Sequence, residues 1–252
     1  MIANLVYEWR RLWSVRASWI MTFVYLVITG LLGAGPLFLG DPQSNGLNVQ
    51  TWKGLYSTNA NFLVLVMLSV VASQFFGHEY RYGTIRLTLT EFPKRERVVL
   101  AKTILLAVYV TLATILGWAV LGVVGYIAPE GSIGTEGPGL SINGGEPSEL
   151  WQVLVFGFAY CLIAMSLTMI TRNLALGIVL PLLLSSIIEG LIVLFAGLAN
   201  GKMDWIVDAL PFANGTAWLT NLPDQPNAGL IFAAWVAGTY LIGSAIFFKR
   251  DA

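Results

Sequence analysis

"HEYRYGTIRLTLTEFPKRERVVLAK", residues 78–102, is a polar island in an oily chain. It holds the acids Glu79, Glu91 and Glu96, the bases Arg81, Arg86, Lys94, Arg95, Arg97 and Lys102, and His78, Gly83-Thr84 and Pro93. The apolar runs beside it, about 58–77 and 98–127, are each long enough for a helix to cross a hydrocarbon core, which takes roughly 20 residues. The island therefore reads as a loop between two membrane spans.

The bulk composition agrees. The chain has 252 residues, of which 56% are hydrophobic and 11% charged, and a mean hydropathy of +0.73. Soluble domains carry roughly 25% charge, so this chain lacks the polar surface to cover a water-soluble globule. Four further apolar stretches, about 17–39, 150–170, 174–199 and 228–248, bring the expected spans to six. They lack the alternation of barrel strands, and a lipid-exposed backbone must satisfy its own hydrogen bonds, so each predicts a helix. The expected fold is an all-α integral membrane protein, one transmembrane domain over 1–252. The first stretch is longer than the apolar region of a signal peptide and lacks a convincing cleavage site, so it reads as a retained span. The single Cys161 lies within the fourth stretch, which excludes a disulfide framework or a cysteine metal site. His78 has no Cys or second His beside it, and no nucleophile has a base in reach.

Orientation follows from Lys and Arg, which are retained on the cytoplasmic side. With six spans, the termini and the loops after spans two and four hold Arg10, Arg11, Arg16, Arg81, Arg86, Lys94, Arg95, Arg97, Lys102, Arg172, Lys249 and Arg250. The opposite side holds Lys53 and Lys202 alone, together with Asp41, Glu130, Glu136, Glu146, Glu149, Asp204, Asp208 and Asp224. Both termini are expected in the cytoplasm of a plasma membrane, with the island as the main cytoplasmic loop.

Residues 1–16 place Ile2, Leu5, Val6, Trp9, Leu12 and Trp13 at helical spacing, with Glu8, Arg10 and Arg11 elsewhere on the wheel. This predicts an amphipathic helix on the inner leaflet, serving as an anchor for span one or as support for the island. Within the island, Glu79 to Glu91 suits a short amphipathic helix that Pro93 stops. Gly83 offers close backbone approach or a helix start, and Thr84 a candidate N-cap. Such a surface helix suits docking to a soluble protein; a basic loop that only fixes topology is the plainer reading.

The motif "EYRYGTIRLTLTEFPKRERVVLAK" resembles the hallmark of ABC-2 type transporter permeases at Glu79, Gly83, Thr84, Pro93, Arg95 and Lys102. "EWRRLW" in the first helix, six spans and "LPF" at Leu210, Pro211 and Phe212 extend the resemblance over nearly the whole chain. It implies that the island carries a coupling helix, seated in a groove of a separate ATP-binding subunit. Glu79 and Arg86 would make charged contacts there, Gly83 would let backbones approach, and Pro93 with Lys102 would set the start of span three. ATP and Mg would be bound by the partner ATPase, since this chain has no G-x-x-x-x-G-K-[ST] and is not expected to bind a cofactor or to be an enzyme. Two ATPases and a second permease, identical or homologous, complete the implied bacterial exporter, with no nucleic acid partner. Its substrate would be a hydrophobic or amphipathic compound such as a drug, a peptide antibiotic or a lipid-linked molecule. The resemblance also implies that 200–226 forms a re-entrant pair broken at Pro211, which with Phe212 would close the outer end of the pathway. The loop 129–149 reads as a Gly-rich connector.

Glu189, in "SSIIEGLIV", is the one acid deep in a span, with Ser185 one turn before it. A lone carboxylate there costs roughly 2.5–3.5 kcal/mol on insertion scales, so it needs a partner or a wet cavity. It reads either as part of a substrate path or permease interface, drawing a cationic substrate, or as a carboxyl group bonded to neighbouring helices. Asn59, Asn61, Ser69, Ser73 and Gln74 make span two polar, as a lining or as ordinary helix-packing contacts. Two rivals stand beside the exporter: a secondary transporter coupled to an ion gradient through Glu189, and a non-transporting membrane scaffold.

Overall fold

A computed structural model describes residues 2–39, 62–127, 150–199, 204–220 and 225–249. Every regular element among them is helical. Asn59, Asn61 and the loop 129–149 lie outside the described residues. The helices are α1 (Ile2–Ser14), α2 (Arg16–Leu39), α3 (Phe62–Tyr82), α4 (Ile85–Glu91), α5 (Arg95–Ile127) and α6 (Leu150–Thr171). Then come α7 (Leu174–Leu182), a π-helical segment (Leu183–Ile188), α8 (Glu189–Leu198), α9 (Asp204–Val207), α10 (Pro211–Leu219) and α11 (Ala228–Lys249).

Four segments are long and apolar enough to cross a membrane: Arg95–Val124, Trp151–Thr171, Leu174–Leu198 and Ala228–Lys249. A fifth arises if the pair Asn4–Ser14 and Arg16–Leu32, bent by 69°, counts as one span. Thus the described residues yield four or five such spans where the sequence predicts six. Span two is the difference. Its expected start lies outside the described residues, and its described end runs on through Gln74, His78, Glu79 and Arg81.

The helix α6 is central. It packs against α3, α5, α7 and α11, and 72% of its span is buried, against 11% for Leu174–Leu198. Its residues Phe156, Tyr160, Met165 and Met169 join Leu68, Phe76, Leu106 and Leu121 in the core. The crossing of α6 with α7 is close because Gly177 has no side chain. A Cβ there would meet Thr168 Oγ1 at 1.8 Å. The turn between these helices is sharp, with Arg172 at φ 53°, and Asn173 caps α7 by accepting the Ala175 and Leu176 N–H groups at 2.9 and 3.4 Å.

The fifth span is not one regular helix, which the apolar run did not reveal. Pro181 lacks an N–H and its ring crowds the carbonyl one turn earlier, and the π segment follows directly. The Glu189 N–H then bonds Leu184 O, five residues back.

The first helix also departs from a simple amphipathic pattern. Asn4 and Glu8 are buried, while Val6, Trp9 and Trp13 are exposed. The helix turns Asn4 and Glu8 toward the bundle together with Leu5 and Leu12, and leaves Val6, Trp9 and Trp13 outward. Trp13 stacks edge-on with Trp19 at 4.2 Å, and the Trp19 indole N–H donates to the Trp13 carbonyl across the bend at Val15.

Candidate functional site

Four charged side chains from three helices meet inside the protein behind α4. Glu8 and Arg11 come from α1, Glu79 from the end of α3, and Lys102 from the second turn of α5. Glu8, Glu79 and Lys102 are 3%, 2% and 0% exposed, so the cluster is sheltered from water. The Lys102 ammonium donates to Glu8 Oε1 at 2.5 Å, the Phe75 carbonyl at 2.8 Å and Glu79 Oε1 at 3.0 Å. An ammonium has three protons, and these acceptors use all of them. Its charge also sits 5.0 Å from the Phe76 ring centre.

Arg11 completes the balance. Its guanidinium pairs with Glu79 Oε1, reaches Glu8 Oε2 at 3.2 Å, and donates to the Gln74 and Phe75 carbonyls at 3.4 and 3.1 Å. Two acids and two bases leave no net charge, which is the condition under which ions tolerate burial. Beside them Ser18 Oγ donates to Gln74 Oε1 at 3.1 Å.

The cluster touches the island helix through Thr88. Thr88 Oγ1 donates to Glu79 Oε1 at 3.1 Å, and Ile85 and Thr88 are the buried residues of α4. The other face of α4 is open: Leu87 is 71% exposed, and Tyr82 just before the helix is 65% exposed. Gly83 makes the turn from α3 to α4 at φ +68°, a left-handed conformation that residues with a Cβ adopt at a cost. Within this chain a Cβ on Gly83 would meet nothing within 4 Å, so φ alone requires glycine here.

A second polar arrangement lies at the other end of the bundle. Glu189 is 4% exposed, and its two carboxylate oxygens accept the N–H groups of Phe212 at 2.9 Å and Ala213 at 2.6 Å. These are orphan donors in the first turn of α10, whose N-cap residue Leu210 supplies no side-chain acceptor. The carboxylate takes the place of a capping side chain and puts negative charge at the positive end of the helix. Tyr160 joins the same group, with its ring 5.1 Å from Phe212 and its hydroxyl 3.4 Å from Ser185 Oγ.

The order of elements is a bent first helix, a short surface helix between two long ones, and a broken helical pair before the last span. The description "ABC-2 family transporter protein" matches residues 5–189, which contain the whole ion cluster. The chain belongs to the ABC-2 transporter family. No curated protein matches the chain. As an ABC-2 transporter protein with several apolar spans, it is a multi-pass membrane protein and a transport subunit.

Several residues of this ABC-2 chain stand elsewhere than the sequence led us to expect. Glu79, read as a contact for an ATPase, faces inward and has its partners within the chain. Lys102 does more than open span three, being the most completely buried member of the cluster. Arg95 donates to the Phe247 and Phe248 carbonyls at 3.1 and 3.3 Å and so caps the last turn of α11. Thr84 occupies the N-cap position of α4 but its side chain makes no capping bond. Arg86 is on the exposed face, and Pro93 lies in the short link after α4 ends at Glu91. Pro211 is the first residue of α10 and comes after the turn that follows α9. Ser69 bonds within its own helix, while Ser73 packs near Gly177 and Gln74 meets Ser18.

Sequence reasoning missed Glu8 and Arg11. The signal was present in the wheel of residues 1–16, where an acid stands among aromatic residues. What the wheel could not give was the partner, ninety-four positions away.

Proposed function

We propose that this chain is the permease subunit of an ATP-driven exporter. Six spans cross a bacterial plasma membrane with both termini in the cytoplasm, the second span being built on α3 and the residues before it. The helix α4 is the coupling helix and receives a separate ATPase, two copies of which serve two permease chains. ATP and Mg belong to that partner.

The observation that carries this reading is the position of α4. An exposed surface, with Tyr82, Arg86 and Leu87, is backed directly by an ion cluster that ties α1, α3 and α5 together. A push on such a helix is transmitted to three elements because the charged partners cannot separate without leaving buried, unpaired charge. ATP can bias a membrane domain only through contacts that differ between two states, and a rigid, ion-locked seat suits that role.

We further propose that α9 and α10 form the outer re-entrant pair and that Glu189 holds α10 in place. On this reading Glu189 is a positioning residue and does not couple an ion. The cargo is a hydrophobic or amphipathic compound, as the family resemblance implies.

Co-purification in detergent with co-expressed candidate ABC ATPases of the same genome tests the proposal. Wild type should retain the ATPase, and Leu87→Asp combined with Arg86→Glu should lose it while keeping the elution profile and thermal midpoint of the permease. An absence of ATPase from wild type, or full retention by the variant, would reject α4 as the coupling helix.

A further inference from the structure

Between the re-entrant pair and the last span lies an open groove of about 530 Å³ that none of the roles above uses. Trp205 and Asp208 form one side, and Ala234, Trp235, Gly238 and Ile242 of α11 form the floor and the other side. The volume falls within the roughly 300–1,000 Å³ of small-molecule sites. Its walls are fixed. The Trp235 indole N–H donates to the Ala209 carbonyl at 2.8 Å, which pins α11 to the turn after α9. A Cβ built on Gly238 meets nothing within 4 Å, so the glycine deepens the floor.

The rim is chemically specific. Asp208 is exposed, and among the described residues its carboxylate has no ion pair or hydrogen bond. Its main-chain carbonyl accepts Asn214 Nδ2 at 2.9 Å, which holds the residue in place without engaging the charge. Two indoles flank it, Trp205 at 72% and Trp235 at 46% exposure. An indole face and a carboxylate together attract an ammonium group. Apart from Thr239, whose hydroxyl donates to the Trp235 and Val236 carbonyls, the floor is apolar and small, suited to an acyl chain, and tryptophans favour the depth where chains meet headgroups.

We infer that this groove binds one phospholipid with a primary-amine headgroup, its chain along Ala234, Gly238 and Ile242 and its ammonium between Asp208 and the two indoles. The inference rests on the proposed orientation, in which α9 faces the outer leaflet. A second copy of the chain fits the rim less well, because on that side acids outnumber the two bases Lys53 and Lys202, and it would bring acid toward Asp208. An anionic lipid is disfavoured for the same reason.

Native mass spectrometry of the detergent-purified chain reads the site, using dioleoyl phosphatidylethanolamine and dioleoyl phosphatidylglycerol as probes with equal chains. Wild type should keep one adduct of the amine lipid at about fivefold higher occupancy than the glycerol lipid. Asp208→Asn should reduce the amine lipid to the level of the other, and Gly238→Trp should remove both. Equal occupancy in wild type, or a preference that survives Asp208→Asn, overturns the proposal. So does a Gly238→Trp variant that keeps its lipid but changes oligomeric mass, which would make the groove a contact between copies.

Orientation is read separately by labelling Asp208→Cys in intact cells with a membrane-impermeant maleimide. Cys161 is fully buried and gives no background. External labelling supports the outer placement. Labelling only after permeabilisation overturns that placement and the proposal with it, whatever the lipid preference in detergent.

Discussion

Lys102 and Glu8 stand ninety-four residues apart in the chain and meet at 2.5 Å in its interior. Neither is explained by its own helix. Glu8 is an acid turned toward an apolar bundle, and Lys102 lies where a span should be apolar. Together with Glu79 and Arg11 they join the first helix to the ends of α3 and α5, directly behind α4.

Removing one member of this cluster should be severe. Lys102→Met leaves Glu8 and Glu79 facing each other, both almost fully buried, with Arg11 as their remaining cation in the cluster. Breaking a buried pair in this way costs about 3–5 kcal/mol. We expect the thermal midpoint in detergent to fall by about 10 °C. Adding Glu8→Gln to Lys102→Met restores the charge balance and should recover more than half of the loss. A midpoint within 2–3 °C of wild type for Lys102→Met, about what 1 kcal/mol produces, would mean that the cluster contributes little.

The glycines separate two kinds of requirement. Gly83→Ala meets no atoms, so its cost is the left-handed backbone alone, about 1 kcal/mol. Gly177→Ala drives a methyl group into Thr168 Oγ1 and toward Ser73 Oγ, and the α6–α7 crossing must open, at roughly 1–3 kcal/mol. Gly83→Asn should recover part of the first loss, because Asn tolerates this conformation, whereas Gly177→Ala combined with Thr168→Ala should recover part of the second. Unfolding midpoints of the four variants decide the matter; rescue of Gly177→Ala by a backbone-tolerant residue instead of by space would refute the packing account.

How much of this was legible beforehand depends on the range of the interaction. The all-helical fold, the apolar runs and the stop after Glu91 follow from local composition, with counterparts in α2, α5, α6, α11 and α4, whereas the pair broken at Pro211 rests on the family resemblance. Span two shows the limit, since its polar end passes unbroken into the island until Gly83 turns the chain. The π segment was hidden because a widened turn leaves the hydrophobic pattern intact and only Pro181 hints at it. Glu79 was read as a charged contact for the ATPase because the family resemblance implies one at that position. Its burial depends on Arg11 and Lys102, and pairing across 68 and 23 positions has no local signature.

Glu189 gives a prediction about a single turn of helix. Its carboxylate accepts two backbone N–H groups that have no other acceptor in α10. Glu189→Ala should cost about 0.5–2 kcal/mol, the range for losing a cap. The amides of Phe212 and Ala213 should exchange hydrogen more than twofold faster, with the middle of α6 unchanged. Glu189→Gln keeps an acceptor and should fall between. Equal protection of these amides in Glu189→Ala and wild type would show that the carboxylate does not hold α10.

Thr88 offers the most direct test of transmission. Its hydroxyl is the one described hydrogen bond from α4 to the ion cluster, and it lies on the buried side of the helix, away from Tyr82 and Leu87. Thr88→Val keeps the shape and removes that bond, a change worth about 1 kcal/mol. The proposed docking surface is untouched, so co-purification of an ATPase should be retained. If α4 passes its motion through Glu79, however, stimulation of ATP hydrolysis by the permease should drop severalfold. Thr88→Ser restores the hydroxyl and should restore stimulation. Full stimulation in Thr88→Val would mean that motion reaches the bundle by packing through Ile85 and Leu89 and not through the cluster. Loss of ATPase binding would instead mean that the bond shapes the docking surface itself.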